Sequence, residues 1–594
     1  MKQIQQRLAA LREVMQREGL HAFIFPSSDP HNSEYTPDHW KGREWISGFN
    51  GSAGTAVVTL HEAALWTDSR YFIAAADQLA GTEYVLMKER LPETPTISEW
   101  LGQKLATCES PQVGIDGNVC AASTVEQLTF ELRANGGINL RTNFDPLDEL
   151  WTDRPPLPHD TVTIQPMEFA GESCHDKLSR IRKALADRHV EGHLITALDD
   201  VAWTLNLRGN DVHCCPVFVA YLLVAPKKTT LFVDKEKITE EVETYLKEEG
   251  ITIDDYANVG KVLKRYGAYN ILIDADATNF NLYKQVKPEK VVRGLSPVPQ
   301  MKAVKNEAEQ EGFRRAMLRD GVALVKFLRW LKTAVARGGQ TEMSIDSKLT
   351  ELRAEQELYM GKSFDTIAGY EAHGAIVHYE ATEASDATLS PGGMLLLDSG
   401  AQYKDGTTDI TRTIALGPVG EEQRRVYTLV LKSHIQLEML KFPVGAAGTQ
   451  LDAVARNPLW RKGMNYLHGT GHGVGSYLNV HEGPQQIRME WKPAPMMAGM
   501  TITDEPGLYL EGRFGVRIEN VLLVVPYKET SFGRFLQFEP LTLCPIDKEP
   551  IVKEMLTFEE KDWLNSYHKM VYEKLSPLLS EAEKEWLAEA TAEL

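Results

Sequence analysis

Apolar and polar residues recur along the first half of the chain in a repeated order of helices and strands. The opening stretch MKQIQQRLAALREVMQREG carries apolar residues at helical spacing, and the short apolar run HAFIFPSSD follows it. A second helical pattern precedes GHLITALDD in the same manner. Trp45 and Gly51, like Trp203 and Gly209, are six residues apart, and apolar stretches ending in aspartate come next in both places. The pattern therefore predicts two copies of one α/β layer plan.

Two proline clusters, in WTDRPPLP and LSPVPQ, predict joints between domains, because they continue neither a helix nor a central strand. We expect three domains, over residues 1–152, 153–300 and 301–594. The third opens on the helical pattern KNEAEQEGFRRAMLRDGVALVKFLRWLKTAV. Strand signals follow, with a hairpin at the sequence KDG, and a charged helical tail closes the chain.

The composition narrows the class of protein. Its 594 residues exceed what one core organises, and 43% hydrophobic with 25% charged residues is ordinary for a globular protein. A formal net charge of −19 argues against nucleic acid or an anionic membrane as a main partner. No apolar run has the length of a membrane span, and no signal peptide is recognisable. Six scattered cysteines without a CxxC pair predict a reduced, cytoplasmic protein.

Five candidate metal ligands follow one another through the C-terminal half of the chain. They are Asp398, Asp409, His472, Glu505 and Glu519. Four carboxylates and one imidazole form a hard, oxygen-rich set that suits Mn²⁺ or another hard divalent ion better than a soft-ligand zinc site. Four negative charges also balance two divalent cations, so the pair could occupy a partly buried site.

Predicted hairpins explain how the four acidic residues could converge. Asp398 ends the apolar run MLLLD and Asp409 opens DITRTIAL, with the KDG turn near their midpoint. A symmetric hairpin would place the two carboxylates opposite one another, with Cβ atoms about 5 Å apart. Glu505 and Glu519 are centred in the same way on Gly512. Two such hairpins could hold metal ions about 3.5–4 Å apart.

The histidines of LHGTGHGVG are four residues apart, which superficially resembles a pair on one helical face. The surrounding glycines disfavour a helix, because each costs up to about 1 kcal/mol relative to alanine. We expect an extended or looping backbone that passes close to metals and substrate, with His472 as a ligand and His468 as its neighbour. An acidic pair around a turn is, taken alone, ordinary turn chemistry; all five residues in order favour a metal site.

Motifs along the whole chain resemble the aminopeptidase P (Xaa-Pro aminopeptidase) family, in its long three-domain cytosolic type. PSSDPHNSEY, SGFNGSAGTA and WTDSRYF are similar to its first domain, and LDDVAWTLNLRGNDV to its second. SGAQYKDGTTDITRT, YLHGTGHGVGSYLNVHEGP, DEPGLY and RIENVLLV are similar to its catalytic domain. The resemblance implies an α/β (α+β) fold: two creatinase-like N-terminal α/β domains, then a pita-bread metallopeptidase domain with a C-terminal helical extension.

The resemblance also implies roles for individual residues. Asp398 would bind one metal, His472 and Glu505 the other, and Asp409 and Glu519 would bridge them. The metals would be two divalent ions, most typically Mn²⁺, with Co²⁺ or Zn²⁺ as alternatives. Three histidines, an arginine and a proton-shuttling glutamate complete the implied catalytic and substrate-binding set: His378, His468, His481, Arg517 and Glu505. One departure is HCCPVF, where Cys214 and Cys215 stand in place of expected polar residues.

The implied activity is release of the N-terminal residue from peptides whose second residue is proline, by a water or hydroxide that bridges two metals. The expected partners are such peptides and a second copy of the chain, with no nucleic acid and no membrane. A prolidase-type dipeptidase is the nearest alternative, although its chain normally carries one N-terminal domain. A peptide-binding module with an eroded metal site is the alternative outside enzymes, but all five ligands are intact here.

Overall fold

A computed structural model describes residues 2–266 and 269–594 and divides the chain into two compact units. The first unit runs to Ile164 and resumes over Ser173–Val298; the second comprises Gln165–Glu172 and Pro299–Leu594. The domain boundaries expected after residues 152 and 300 stay a prediction. Within the described residues, no helix combines the length and the apolar character that crossing a bilayer requires.

Six strands form the sheet of the first repeat, in the spatial order fourth, third, second, first, fifth, sixth. They are Ala22–Pro26, Thr55–Thr59, Ala63–Thr67, Tyr84–Lys88, Gln112–Ile115 and Asn139–Arg141. The longer helices beside them are Lys2–Arg17, Gly42–Ser47, Phe72–Leu79, Ile97–Lys104 and Ala122–Gly136. The N-terminal helix buries Ile4, Leu8, Leu11, Val14 and Met15. This spacing confirms the predicted amphipathic helix.

The second repeat has a sheet with the same spatial order and the same pattern of parallel and antiparallel neighbours. Its strands are Gly192–Ile195, Ala220–Val224, Thr229–Val233, Ile251–Asp255, Ile271–Ile273 and Val291–Arg293. Its longer helices are Cys174–Asp187, Leu198–Leu205, Glu240–Glu248 and Val259–Arg265. The prediction of two copies of one plan is therefore confirmed.

The two repeats meet through the loops that follow their fifth strands. Ala121 forms a β-bridge with Asn279, and each lies six residues beyond the end of its own fifth strand. Two equivalent backbone hydrogen bonds of 2.9 Å flank this bridge: Ala122 N to Thr278 O, and Phe280 N to Cys120 O. The contact thus has a local pseudo-twofold axis through equivalent positions.

A 31-residue helix, Glu307–Arg337, capped by Asn306, runs through the second unit. The predicted apolar positions Phe313, Met317 and Val325 of this helix are buried. Its other longer helices are Glu342–Ala354, Glu421–Glu438, Gly448–Trp460, Phe558–Leu575 and Glu581–Ala590. The last two of these helices form the helical tail predicted at the C-terminus.

Strands of the second unit form two main sheets and several short ladders. One main sheet is Ile367–Tyr370, Met394–Ser399 and Ile410–Ala415; the other is Lys441–Pro443, Gly533–Pro540, Asn520–Thr530 and Thr501–Asp504. The short ladders are built from Tyr359–Lys362, Ala401–Tyr403, Gly406–Thr407, Gly471–Gly473, Glu482–Ile487, Gly507–Leu510 and Phe514–Arg517. All five predicted metal ligands lie in this unit, within these strands or directly beside them.

Candidate metal centre

The first acid-bearing hairpin joins Met394–Ser399 to Ile410–Ala415. Asp398 pairs with Thr411, not with Asp409 as a symmetric reading of the sequence predicted. The register is set at the turn, where Tyr403 pairs with Gly406. That turn is centred one residue later than the prediction assumed, so the partner of Asp398 moves by two residues. The two aspartates are therefore offset along the hairpin.

The second acid-bearing hairpin has the predicted register. Asp504 pairs with Asn520 and Gly507 pairs with Arg517, so both ladders share a centre at Gly512. Glu505 and Glu519 occupy the gap between these ladders and lie opposite one another. This result confirms the midpoint argument for this pair.

His472 lies on the short strand Gly471–Gly473, so the predicted extended backbone is confirmed. Its amide donates to Thr503 Oγ1 at 3.0 Å. A Cβ at Gly471 would lie 1.9 Å from Thr503 O, which explains why glycine precedes the histidine. The imidazole Nδ1 lies 2.9 Å from Gly473 O. If Nδ1 donates to this carbonyl, the Nε2 lone pair is the one that the ring would present to a metal.

Ligand atoms of Asp409, His472 and Glu519 all lie within 4.8 Å of one another. The Nε2 of His472 is 3.5 Å from Asp409 Oδ2 and 3.5 Å from Glu505 Oε1. Four of the five predicted ligands are therefore brought together. Burial raises the pKa of Asp409 well above its ordinary value, and the charges of Asp398 and Glu505 raise it further.

Asp398, the fifth predicted ligand, is held by an arginine. Arg517 donates to Asp398 Oδ2 from Nη2 at 2.6 Å and from Nε at 3.1 Å. The same Nε lies 3.2 Å from Thr411 Oγ1, whose hydroxyl donates to Glu519 Oε2 at 2.8 Å. Arg517 and Thr411 thus connect a carboxylate of the first hairpin to one of the second.

The donor set fits two divalent cations. Glu519 is buried with three other carboxylates nearby; burial raises its pKa well above the ordinary value, and the charges of Asp409, Asp398 and Glu505 add to this shift. Asp398 Oδ1 is buried and has no hydrogen-bond partner among the residues that the structure describes. One arginine leaves the negative charge of this cluster largely uncompensated, and bound cations would compensate it. An oxygen-rich set with one imidazole suits hard divalent ions.

The three predicted substrate-side histidines lie on different loops. The ring of His481 is 4.3 Å from that of His472, centroid to centroid, at 79°. His468 Nε2 lies 2.8 Å from the hydroxyl of Tyr509, and Tyr509 in turn accepts from Arg517 Nη1 at 2.7 Å. His378 follows Val377, whose carbonyl accepts from Arg517 Nη2 at 3.4 Å. Arg517 therefore links two of these loops to Asp398.

Sequence reasoning missed Tyr509 and Thr411, although a simple signal points to both. Alternate residues of a strand share a face. Thr411 follows the predicted ligand Asp409 by two positions, and Tyr509 follows Glu505 by four. Burial raises the pKa of Tyr509 to about 12, so its hydroxyl keeps its proton at neutral pH.

Arg412 supports both hairpins from behind. Its buried guanidinium donates to Thr411 O at 3.0 Å and to Glu519 O at 2.6 Å. It also donates to three groups near the C-terminus: Pro545 O at 3.1 Å, Cys544 O at 2.8 Å and Tyr567 Oη at 3.0 Å. A single side chain thus joins the backbone behind the metal ligands to the C-terminal region.

Profiles of known families match almost the whole chain. The creatinase/prolidase N-terminal domain is matched twice, over residues 7–147 and 153–309. Metallopeptidase family M24 matches residues 311–526, and the C-terminal region of peptidase M24 matches residues 534–594. The predicted fold class, with two creatinase-like α/β domains before a pita-bread metallopeptidase domain, is therefore confirmed.

Individual relatives are similar over their full lengths. Probable Xaa-Pro aminopeptidase P of Paracoccidioides brasiliensis (strain Pb03) is 39% identical over 610 residues, which cover 99% of this chain and 98% of that one. Aminopeptidase P1 of Arabidopsis thaliana is 38% identical, with 98% of each chain covered. The Xaa-Pro dipeptidase from Bacillus anthracis is 25% identical with a TM-score of 0.51, and it covers 63% of this chain and 99% of its own.

One solved structure matches throughout. The X-prolyl aminopeptidase from Caenorhabditis elegans, described as a cytosolic enzyme with a di-nuclear active site, has a TM-score of 0.96 at 34% identity. The match covers 100% of both chains. The sequence motifs, the hairpins that carry the acidic residues and these full-length similarities agree. The chain belongs to the Xaa-Pro aminopeptidase P family of metallopeptidases.

Proposed function

We propose that this protein releases the N-terminal residue from peptides that carry proline at the second position. The observation that carries the proposal is the buried grouping of Asp409, His472 and Glu519 with Glu505 and Asp398, in a chain that matches Xaa-Pro aminopeptidases from end to end. Asp398 would hold one divalent ion, His472 and Glu505 the other, and Asp409 and Glu519 would bridge them.

Two ions in this place would supply Lewis acidity and a water molecule of lowered pKa. The oxygen-rich donor set makes Mn²⁺ our first choice, ahead of Co²⁺ and Zn²⁺. Glu505, which is less buried than Asp409 or Glu519, accepts the proton of the attacking water and passes it to the leaving nitrogen. His468 or His378 donates a hydrogen bond to the oxygen of the scissile carbonyl as its negative charge develops.

Recognition of proline follows from the chemistry of its amide. The bond before proline has no N–H, so a site for it cannot depend on that donor. His481 packs against His472 and offers a ring face for the pyrrolidine, while Arg517 and Tyr509 fix the neighbouring His468. We propose His378, His468, His481 and Arg517 as the residues that bind or orient substrate.

The test is peptide cleavage by protein that has been dialysed against chelator and refilled with Mn²⁺, Co²⁺ or Zn²⁺. An Xaa-Pro-Yaa tripeptide should lose its first residue, and the matched Xaa-Ala-Yaa peptide should react far more slowly. Equal rates on both would refute the proline preference. Cleavage of Xaa-Pro dipeptides alone would support the prolidase alternative. The B. anthracis dipeptidase matches only 63% of this chain, which argues against that alternative. Metal binding without any cleavage would support the peptide-binding module.

We also propose a cytosolic location and a homodimer for this protein. The C. elegans enzyme is described as cytosolic, and the six cysteines of this chain, all within the described residues, form no disulfide, as expected in a reducing compartment. Cell fractionation tests the location. Light scattering of the purified protein tests the dimer, and a monomeric mass across the working concentration range would refute it.

A further inference from the structure

His378 lies on a long connection between the strands Ile367–Tyr370 and Met394–Ser399. Apart from the short 3-10 turn Glu371–Ala375, this connection has no regular helix or strand. Such a segment has no ladder of its own to fix the place of a catalytic side chain. Its own hydrogen bonds, such as Tyr379 N to Ile376 O at 3.1 Å, form local turns, so its place relative to the metal centre depends on groups outside the segment.

A single carboxylate outside the connection binds it at four places. Glu342, the first residue of the helix Glu342–Ala354, is fully buried. Its carboxylate oxygens accept from the following groups: Tyr370 N at 2.8 Å, His373 Nδ1 at 2.9 Å, Tyr379 Oη at 2.8 Å and Ala387 N at 3.0 Å. These partners span the start, the middle and the end of the segment that carries His378.

The anchored groups also bind one another. The ring of His373 stacks on that of Tyr379, 4.5 Å between centroids at 28°. The amide of Glu342 donates to Ala387 O at 3.1 Å, so the backbone of Ala387 is held in both directions. Tyr379 is buried, whereas His378 beside it is partly exposed.

His378 is consequently held from both of its neighbours. On one side Tyr379 donates to Glu342, and on the other Val377 O accepts from Arg517, which binds Asp398. Burying a carboxylate is costly, so a loop that needs only to be held could be packed with apolar residues at lower cost. A carboxylate with four donors instead fixes direction and distance, because each hydrogen bond is lost when its donor moves.

We propose that Glu342 is a positioning residue for the reaction: its carboxylate holds the 370–387 segment so that His378 faces the metal centre. The proposal rests on the proposed function for the role of His378. It goes beyond that function by assigning the placement of this histidine to a residue that touches neither metal nor substrate.

The test uses the full-length, metal-loaded protein and a double-mutant cycle. Glu342→Gln keeps the shape of the side chain but replaces an acceptor oxygen with a donor, so at least one of the four donors loses its acceptor. We expect kcat/KM on an Xaa-Pro-Yaa peptide to fall about 10- to 100-fold, mainly through kcat, because small displacements of catalytic groups cost that much. In a His378→Ala background the same change should lower kcat/KM by less than about threefold.

A second variant keeps the test possible if Glu342→Gln does not fold. Tyr379→Phe removes one hydroxyl and keeps the stacked ring, and it should cause a smaller fall with the same loss of effect in the His378→Ala background. The matched control is Glu351→Gln in the same helix, where an exposed carboxylate accepts from Lys348 Nζ at 3.0 Å. We expect it to stay within about twofold of wild type, as surface pairs contribute little. Metal content should be unchanged in all variants.

A readout that does not depend on turnover separates this inference from the proposed function. Hydrogen exchange of the peptide 370–387 should accelerate in Glu342→Gln, while peptides from the helix Gly448–Trp460 keep their wild-type rates. The inference would be overturned if hydrogen exchange in peptide 370–387 stayed unchanged. It would also be overturned if the fold-losses in kcat/KM from Glu342→Gln and His378→Ala simply multiplied in the double variant. A wild-type protein without peptidase activity would overturn the proposed function and leave the exchange result to decide the anchoring role.

Discussion

The two hairpins that supply the carboxylates of the metal centre present their acidic pairs differently. In the hairpin of residues 501–530, Glu505 and Glu519 lie opposite one another on a common register. In the hairpin of residues 394–415, Asp398 lies opposite Thr411, so Asp409 is displaced by two positions. The displacement places Asp398 against Arg517 and Asp409 among His472 and Glu519. Chemically identical carboxylates thus acquire different partners through register alone.

The hairpins also differ in what supports them from behind. Leu395 and Leu397 of the first pack into an apolar cluster with Ile410 and Ile414. Behind the second lies a buried polar network in which Asn520 Nδ2 donates to Glu438 Oε1 at 2.8 Å. His434 completes it, with Nδ1 3.1 Å from Asp504 Oδ2 and Nε2 3.2 Å from Glu438 Oε1. One pair of ligands rests on apolar packing and the other on directional polar contacts.

The largest expected effect comes from Asp409→Ala, because this carboxylate lies where the two hairpins meet. Both metals should be lost on dialysis, and turnover should fall by about a thousandfold or more, since the reaction depends on the cations. Elemental analysis of the purified variant measures the first and peptide cleavage the second. Glu511→Gln, in the exposed turn of the second hairpin, is the control. Retention of two metal equivalents by Asp409→Ala would contradict the ligand assignment.

Arg517→Ala should come next, because it removes the group that holds Asp398. Residues that orient a metal ligand typically contribute about 10- to 100-fold in affinity or activity. We expect one metal equivalent to weaken while the other, held through His472 and Glu505, is kept. Metal titration by calorimetry resolves the two sites. An equal loss of metal affinity at both sites would contradict the view that Arg517 and Asp398 act on one of the two metal sites.

His434→Gln should reveal a pH dependence that belongs to the second hairpin. Burial by itself would lower the pKa of His434, but the carboxylates of Asp504 and Glu438 raise it to about 9. A raised pKa stabilises the fold below the ordinary value of about 6.5 and loses that contribution as pH rises through 9. Burial also raises the pKa of Asp504, to about 7, so the charge pair is complete only between about pH 7 and 9. The difference in unfolding free energy between wild type and variant should therefore shrink from about 2 kcal/mol near pH 7 toward zero above pH 9. Denaturant titrations at fixed metal concentration measure it; a difference that grows with pH would contradict the charged imidazole.

The smallest expected effect is that of Thr411→Val, which deletes the hydroxyl between Arg517 and Glu519. Loss of one such hydrogen bond costs about 1 kcal/mol, or about fivefold in kcat/KM if the cost falls on the transition state. Thr411→Ser keeps the hydroxyl and should restore most of the loss. Equal losses in both variants would assign the effect to packing and not to the link between the hairpins.

Much of this arrangement could be predicted from sequence because it depends on local periodicity. Helical spacing located the helix Glu307–Arg337, and the recurrence of tryptophan and glycine revealed the repeated α/β plan. The midpoint argument succeeded at Gly512, where the turn is symmetric. It was wrong for Asp398, because a shift of one residue in the turn centre moves the partner by two, and the motif KDG alone does not specify that centre.

Contacts between distant residues lay beyond such reasoning. The packing of whole elements brings Glu342 to Ala387 and His434 to Asp504. The periodicity of the sequence around these residues does not predict which residues they contact. The catalytic and substrate-binding roles that the resemblance supplies for His378, His468 and His481 stay predictions. Tyr509 and Thr411 were within reach, because each lies on a strand next to a predicted ligand and an even number of positions from it.

Arg412 has a consequence for where this enzyme can be divided. The family M24 profile ends at residue 526, and a separate profile of its C-terminal region covers residues 534–594. Yet a fragment that stopped at residue 526 would leave a buried guanidinium without its acceptors at Cys544, Pro545 and Tyr567. The guanidinium would keep Thr411 O, Glu519 O and Asn520 Oδ1 but lose its other three acceptors, and a buried charge with missing hydrogen bonds is costly to a fold. We therefore expect any piece of this chain that folds around its metal centre to extend through the helix Phe558–Leu575, within the region that the separate C-terminal profile matches.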